Sequence, residues 1–133
     1  MSLVDKLNQG VQSSPSGAGG HRFVTVKCPA TVANLVCGFD ILGMALTEPF
    51  DIMKLKLIDE PKITIINKDA YNLPTEPEKN VAGVVLIEIM EKMGNQFGFE
   101  VEIEKHIKPG SGLGSSAASA AGAAVAANEL LGN

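Results

Sequence analysis

The stretch Lys108-Pro109-Gly110-Ser111-Gly112-Leu113-Gly114-Ser115-Ser116-Ala117-Ala118 constrains this chain more than any other. Its glycines fall on alternate positions, so the backbone can turn sharply and bring N–H groups close to a ligand with no Cβ in the way. The alanine-rich run from Ser115 to Leu131 predicts a helix. Its first N–H groups have no partner inside the helix, and the dipole adds positive potential there. A glycine loop feeding a helix N-terminus is a phosphate site. Ser115 and Ser116 stand where hydroxyls meet a phosphate oxygen or its metal ion. Two well-known loops do not fit. No Lys precedes the serines as a Walker loop requires, and the third glycine comes one residue too early for G-x-G-x-x-G. The competing reading is a glycine turn that caps a helix; Pro109 before and the paired serines after favour phosphate.

The rest of the chain supplies strands and one more helix. Phe23–Lys27 alternates and is β-branched, which predicts a strand. Pro29–Gly43 mixes Pro, Asn and Gly with apolar residues and reads as a loop with short strand pieces. Ile52–Ile58 alternates again, Asp59–Lys62 makes a turn, and Ile63–Ile66 is expected to pair back as its hairpin partner. Two prolines make Asn72–Pro77 a loop. Asn80–Met93 predicts a helix with Asn80 as N-cap, Gly94 as stop, and an apolar face of Val81, Val84, Val85, Leu86, Ile87 and Ile89. Phe99–Lys105 alternates strictly, as a half-buried antiparallel strand does. The expected class is α+β, a mainly antiparallel sheet with helices packed on one face.

A chain of 133 residues suffices for one domain with a core. The net charge of −4, without a basic stripe or aromatic platform, argues against a nucleic-acid partner. No apolar run approaches the ~20 residues of a membrane span. Cys28 and Cys37 read as reduced thiols of a cytoplasmic protein, and no His or Cys lies at zinc spacing. His21 and His106 receive no role. Residues 1–22 are expected to be a flexible leader or tag, and residues 23–133 the domain.

Three ordered strings carry a family resemblance. Pro109-x-x-Gly112-Leu113-Gly114-Ser115-Ser116-Ala117-Ala118 resembles the phosphate loop of the GHMP small-molecule kinases. Pro29-Ala30-Thr31-Val32-Ala33-Asn34 through Asp40-Ile41-Leu42-Gly43-Met44-Ala45-Leu46 resembles the opening signature of their homoserine kinase branch, departing from it at Val36-Cys37. Pro77-Glu78-Lys79-Asn80-Val81-Ala82-Gly83 resembles the segment between them. The resemblance implies ATP and Mg²⁺ as cofactors and L-homoserine as second substrate, in threonine biosynthesis. It implies ATP binding by Asn80, Lys105, Pro109, Gly110, Ser111, Gly112, Leu113, Gly114, Ser115 and Ser116. Within that set, Asn80 would lie beside the base and Ser116 would also touch Mg²⁺. It implies homoserine binding by Asn34 and Asp40, whose other reading is turn chemistry. No catalytic residue is assigned in this stretch. The family has two lobes, so the chain reads as an amino-terminal portion, with the metal-holding carboxylate and second lobe beyond Asn133 and little activity of its own. Another GHMP kinase of mevalonate-pathway type, or a non-catalytic nucleotide-binding fragment, are the rival readings. A homo-oligomer stays open.

Overall fold

The computed structural model describes residues 11–13, 22–35, 37–39 and 41–132. Strand β2 (Phe23–Ala33) and β3 (Gly43–Ile58) form a long antiparallel pair. Their register shifts between Pro29 and Thr31. Proline has no N–H to give a ladder, so a strand tolerates it at such an irregularity. The Pro29–Gly43 segment, read as a loop with short strand pieces, has strand at both ends, and residues 34–42 connect them. Inside the expected leader, β1 (Val11–Ser13) pairs with Val24–Val26 at the sheet edge; the rest of residues 1–21 lies outside the described residues.

The hairpin expected after Ile58 does not form. Strand β4 (Ile63–Asn67) pairs in parallel with β5 (Gly98–Glu104), which lies between β3 and β4. The sheet order is β1-β2-β3-β5-β4. Gly98 makes this arrangement possible. A Cβ there would collide with the carbonyl oxygens of Glu60 and Lys62, whose chain crosses against it, and Phe99 N donates to the Lys62 carbonyl at 2.9 Å. A parallel pair needs a crossover rather than a tight turn. Helix α1 (Val81–Lys92) supplies it, entered through a single 3-10 turn at Pro77–Lys79. Three of the four pairings are antiparallel, as the α+β reading requires.

The core lies between one face of the sheet and the helices. Val24, Val26, Cys28, Met53, Leu55, Phe99, Val101 and Ile103 point into it from β2, β3 and β5. Helix α2 (Ser115–Leu131) closes it with Ala118, Gly122, Ala123, Ala126, Ala127 and Leu130. These small side chains let the helix ride low on the sheet. At Gly122 a Cβ would collide with Cys28 Sγ. Helix α1 buries Ala82, Gly83, Leu86 and Met90. Val81 and Val84, expected on its apolar face, are instead exposed. Gly83 lies where a Cβ would collide with the backbone of Pro77, so small residues govern this contact as well. On the opposite sheet face, Lys54 stands over the Phe23 ring and Lys56 faces Glu100 at 3.8 Å.

Candidate nucleotide site

A cavity of about 100 Å³ lies where the end of β5, the start of α2 and the loop before α1 converge. It is lined by Leu73, Pro74, Asn80, Lys105, Pro109, Ser115, Ser116 and Ser119, among others. Pro109 and Ser115, which bracket the glycine loop, are part of its wall. Gly110, Gly112 and Gly114 all take left-handed backbone, with φ of 76°, 78° and 68°. Any other residue pays a steric cost in that region. Alternating left-handed residues turn successive N–H groups towards one side, making an anion-binding concavity. At Gly110 and Gly112 a Cβ would meet open space, whereas at Gly114 it would collide with Thr31 Oγ1. Thr31 N also donates to the Leu113 carbonyl at 2.9 Å, fixing the loop to β2.

Gly114 is the N-cap of α2, with no side-chain bond to the helix. Ser115 is the first helical residue rather than the cap, and its hydroxyl donates to the Ile107 carbonyl at 3.3 Å. Ser116 is exposed beside the cavity. Pro109 lines the cavity wall, Leu113 packs against the core, and Ser111 is exposed, its N–H donating to the Lys108 carbonyl at 3.2 Å.

Asn80 is the N-cap of α1. Its Oδ1 accepts from Ala82 N at 3.0 Å and Gly83 N at 3.5 Å, and its Nδ2 donates to the Pro74 carbonyl at 2.8 Å. The cap reading therefore holds, and the same amide lines the cavity, with one Nδ2 hydrogen beyond the bond to Pro74.

Lys105 is buried, its side chain only 1% exposed. Its ammonium donates to the Asp51 carboxylate, to the Ser115 carbonyl at 3.0 Å and to Ser119 Oγ at 3.0 Å. Asp51 also accepts from His106 N at 2.7 Å and Ile107 N at 2.8 Å. Neither Asp51 nor Ser119 is apparent as a site residue from the motifs. Cys28 sits nearby in the core. Burial, with the Asp51 carboxylate adding and Lys105 opposing, pushes its thiol from the ordinary 9.0 up to about 11.

Asn34, one of the two residues expected to bind homoserine, does not line this cavity. Asn34 is exposed at the end of β2 with φ 58°, the left-handed conformation that Asn tolerates in turns. Asp40 lies outside the described residues. Among the described residues no three His, Cys, Asp or Glu side chains group as a metal centre, and no helix is long and apolar enough to cross a membrane.

Residues 80–133 match the family described as "GHMP kinases N terminal domain". The match takes in both the cap of α1 and the whole glycine loop. That stretch is similar to a GHMP kinase amino-terminal domain. The relatives of this chain are more specific. It is 48% identical over 107 residues to a homoserine kinase of Methanocella arvoryzae, covering 80% of this chain and 34% of that protein. With the homoserine kinase of Chloroherpeton thalassium the identity is 44% over 122 residues, covering 83% and 38%. The crystal structure of homoserine kinase from Cytophaga hutchinsonii superposes with a TM-score of 0.76 at 44% identity, covering 84% of this chain and 36% of that one. A mevalonate kinase from Methanococcus jannaschii shares the fold at a TM-score of 0.61 and 18% identity. The chain spans about a third of the length of the curated relatives it matches.

Proposed function

We propose that this chain supplies the ATP-binding part of a homoserine kinase, which transfers the γ-phosphoryl group of ATP to the hydroxyl of L-homoserine. The products are ADP and O-phospho-L-homoserine, as in threonine biosynthesis. The observation that carries this reading is the run of three left-handed glycines entering the free N-terminus of α2. Similarity to homoserine kinases over four-fifths of the chain supports the choice of acceptor.

In this reading the N–H groups of the glycine loop and of Ser115 and Ser116 cradle the phosphates, with Pro109, Ser111 and Leu113 shaping the loop. The spare Nδ2 hydrogen of Asn80 meets an acceptor on the adenine edge. Asn34 and Asp40 bind the amino-alcohol, the carboxylate drawing its ammonium. Positioning and charge stabilisation supply the rate. Mg²⁺ takes its ligands chiefly from phosphates and water with few protein oxygens, and the Ser116 hydroxyl fits as one of these. When bound, the ion offsets charge on the β- and γ-oxygens. A soluble cytoplasmic enzyme acting on small molecules is the setting proposed for this chemistry.

The test is ADP release by the complete protein with L-homoserine, with mevalonate as competing acceptor. Homoserine-dependent turnover that mevalonate does not inhibit is expected. Preference for mevalonate, or nucleotide binding with no turnover of either, overturns the assignment.

A further inference from the structure

We propose that Lys105 is a positioning residue: paired with Asp51, it holds both ends of the glycine loop and thereby sets the geometry in which the loop meets phosphate. The proposal rests on the nucleotide site described above, and it gives Lys105 a role other than direct phosphate binding.

A lysine ammonium has three donors and no acceptor. Lys105 commits one each to the Asp51 carboxylate, the Ser115 carbonyl and Ser119 Oγ. The two carbonyl and hydroxyl partners belong to the first turns of α2, immediately after the loop. Asp51 acts at the other end. Its Oδ1 receives the N–H groups of His106 and Ile107, where the chain leaves β5 and enters the loop. The ring closes through Ser115, whose hydroxyl donates to the Ile107 carbonyl, and through Ser119, whose hydroxyl donates to the Ser115 carbonyl at 3.3 Å. Residues 108–114 therefore span two anchors joined by one buried ion pair. Both charged side chains are nearly inaccessible, at 1% and 2% exposure.

Stability alone does not explain such a pair. Apolar residues of similar volume replace buried ion pairs with little loss, whereas removing one partner leaves an uncompensated charge. Directed hydrogen bonds to chosen backbone atoms are what an apolar pair cannot reproduce. The left-handed glycines have little stiffness of their own, so the separation of the two anchors decides where the loop N–H groups point.

The test uses the complete protein and four variants: Ser119→Ala, Asp51→Asn, Lys105→Met, and the apolar double variant Asp51→Leu with Lys105→Met. Calorimetry with Mg-ATP reads affinity, thermal unfolding reads the fold, and amide exchange over residues 110–116 without nucleotide reads the loop. Asp51→Asn and Lys105→Met are expected to weaken Mg-ATP by about ten- to a hundred-fold. Ser119→Ala is expected to weaken it less, with the fold kept. The apolar double variant is expected to unfold later than Lys105→Met yet remain weak for Mg-ATP, and loop exchange rises in all four. The proposal falls if the double variant binds Mg-ATP like the parent. It also falls if Asp51→Asn and Ser119→Ala bind normally while Lys105→Met alone loses affinity, since Lys105 then touches phosphate itself. Faster loop exchange in the variants of a parent that binds no Mg-ATP supports the anchoring and overturns only the nucleotide reading.

Discussion

Gly114 answers to two constraints at once. Its φ of 68° favours glycine, and Thr31 Oγ1 occupies the space a Cβ would need. Gly114→Val is expected to abolish Mg-ATP binding by calorimetry. Ser116→Ala, on an exposed helical position that accepts alanine well, should lower turnover far more than the unfolding temperature. Equal nucleotide affinity in Gly114→Val and parent would remove the loop from the site. Cys28 allows a pH prediction. Its folded pKa of about 11 lies above the ordinary 9.0, so the native state holds its proton longer than the unfolded chain does. The stability tied to that proton is complete below pH 9 and lost as pH rises through about 11. Urea unfolding across that window should show the loss, and Cys28→Ala should flatten it. The turn of left-handed glycines before α2 was legible because glycine spacing is itself the signal. The ion pair was legible in principle: Asp51 shares the buried side of β3 with Met53 and Leu55, and Lys105 continues the inward series of Phe99, Val101 and Ile103. A charge on an inward position needs a partner, and two such positions of opposite sign point to each other. Asn34 and Asp40 lack any such signal, since Asx residues serve turns and ligands equally well.

Helices α1 and α2 depend on what their residues lack as much as on what they carry. Asn80 is both a cap and a wall of the cavity, and substitution separates the two. Asn80→Ala should cost about 1 kcal/mol through the cap alone. Asn80→Asp keeps the oxygen that caps Ala82 and loses the Nδ2 donor, so it should unfold closer to the parent while binding ATP as weakly as Asn80→Ala. Parent-like ATP affinity in both variants would confine Asn80 to capping. Gly122 governs how closely α2 approaches β2. Gly122→Val forces a side chain against Cys28 Sγ and should destabilise by about 1–3 kcal/mol in denaturant titration. The extents of α1, β5 and α2 were legible from caps and alternation. The buried side of α1 was not. A broad apolar face does not say which stripe a sheet will accept, and here close approach selects Ala82 and Gly83 over the bulkier Val81 and Val84.

At the scale of the whole molecule, β5 is the strand on which the rest depends. It is bonded on both sides, and Phe99 and Val101 are fully buried. Phe99→Ala should cost about 3–5 kcal/mol in unfolding free energy. Its amides are expected to exchange among the slowest in the molecule. Alternation identifies a strand but carries no information about its neighbour, which is why the hairpin reading of Ile63–Ile66 was reasonable and wrong; only Gly98 marks the close crossing that places β5 between β3 and β4. That insertion has a consequence for synthesis on the ribosome. The β2–β3 pair can assemble as soon as Ile58 has emerged. Strand β4 is complete at Asn67 but must wait for Gly98–Glu104, its sole strand partner among the described residues, until the intervening helix has been translated. During that interval Ile63-Thr64-Ile65-Ile66 stands as a β-branched segment with no ladder. A nascent chain slowed between these strands is most open to pairing with another chain at this point.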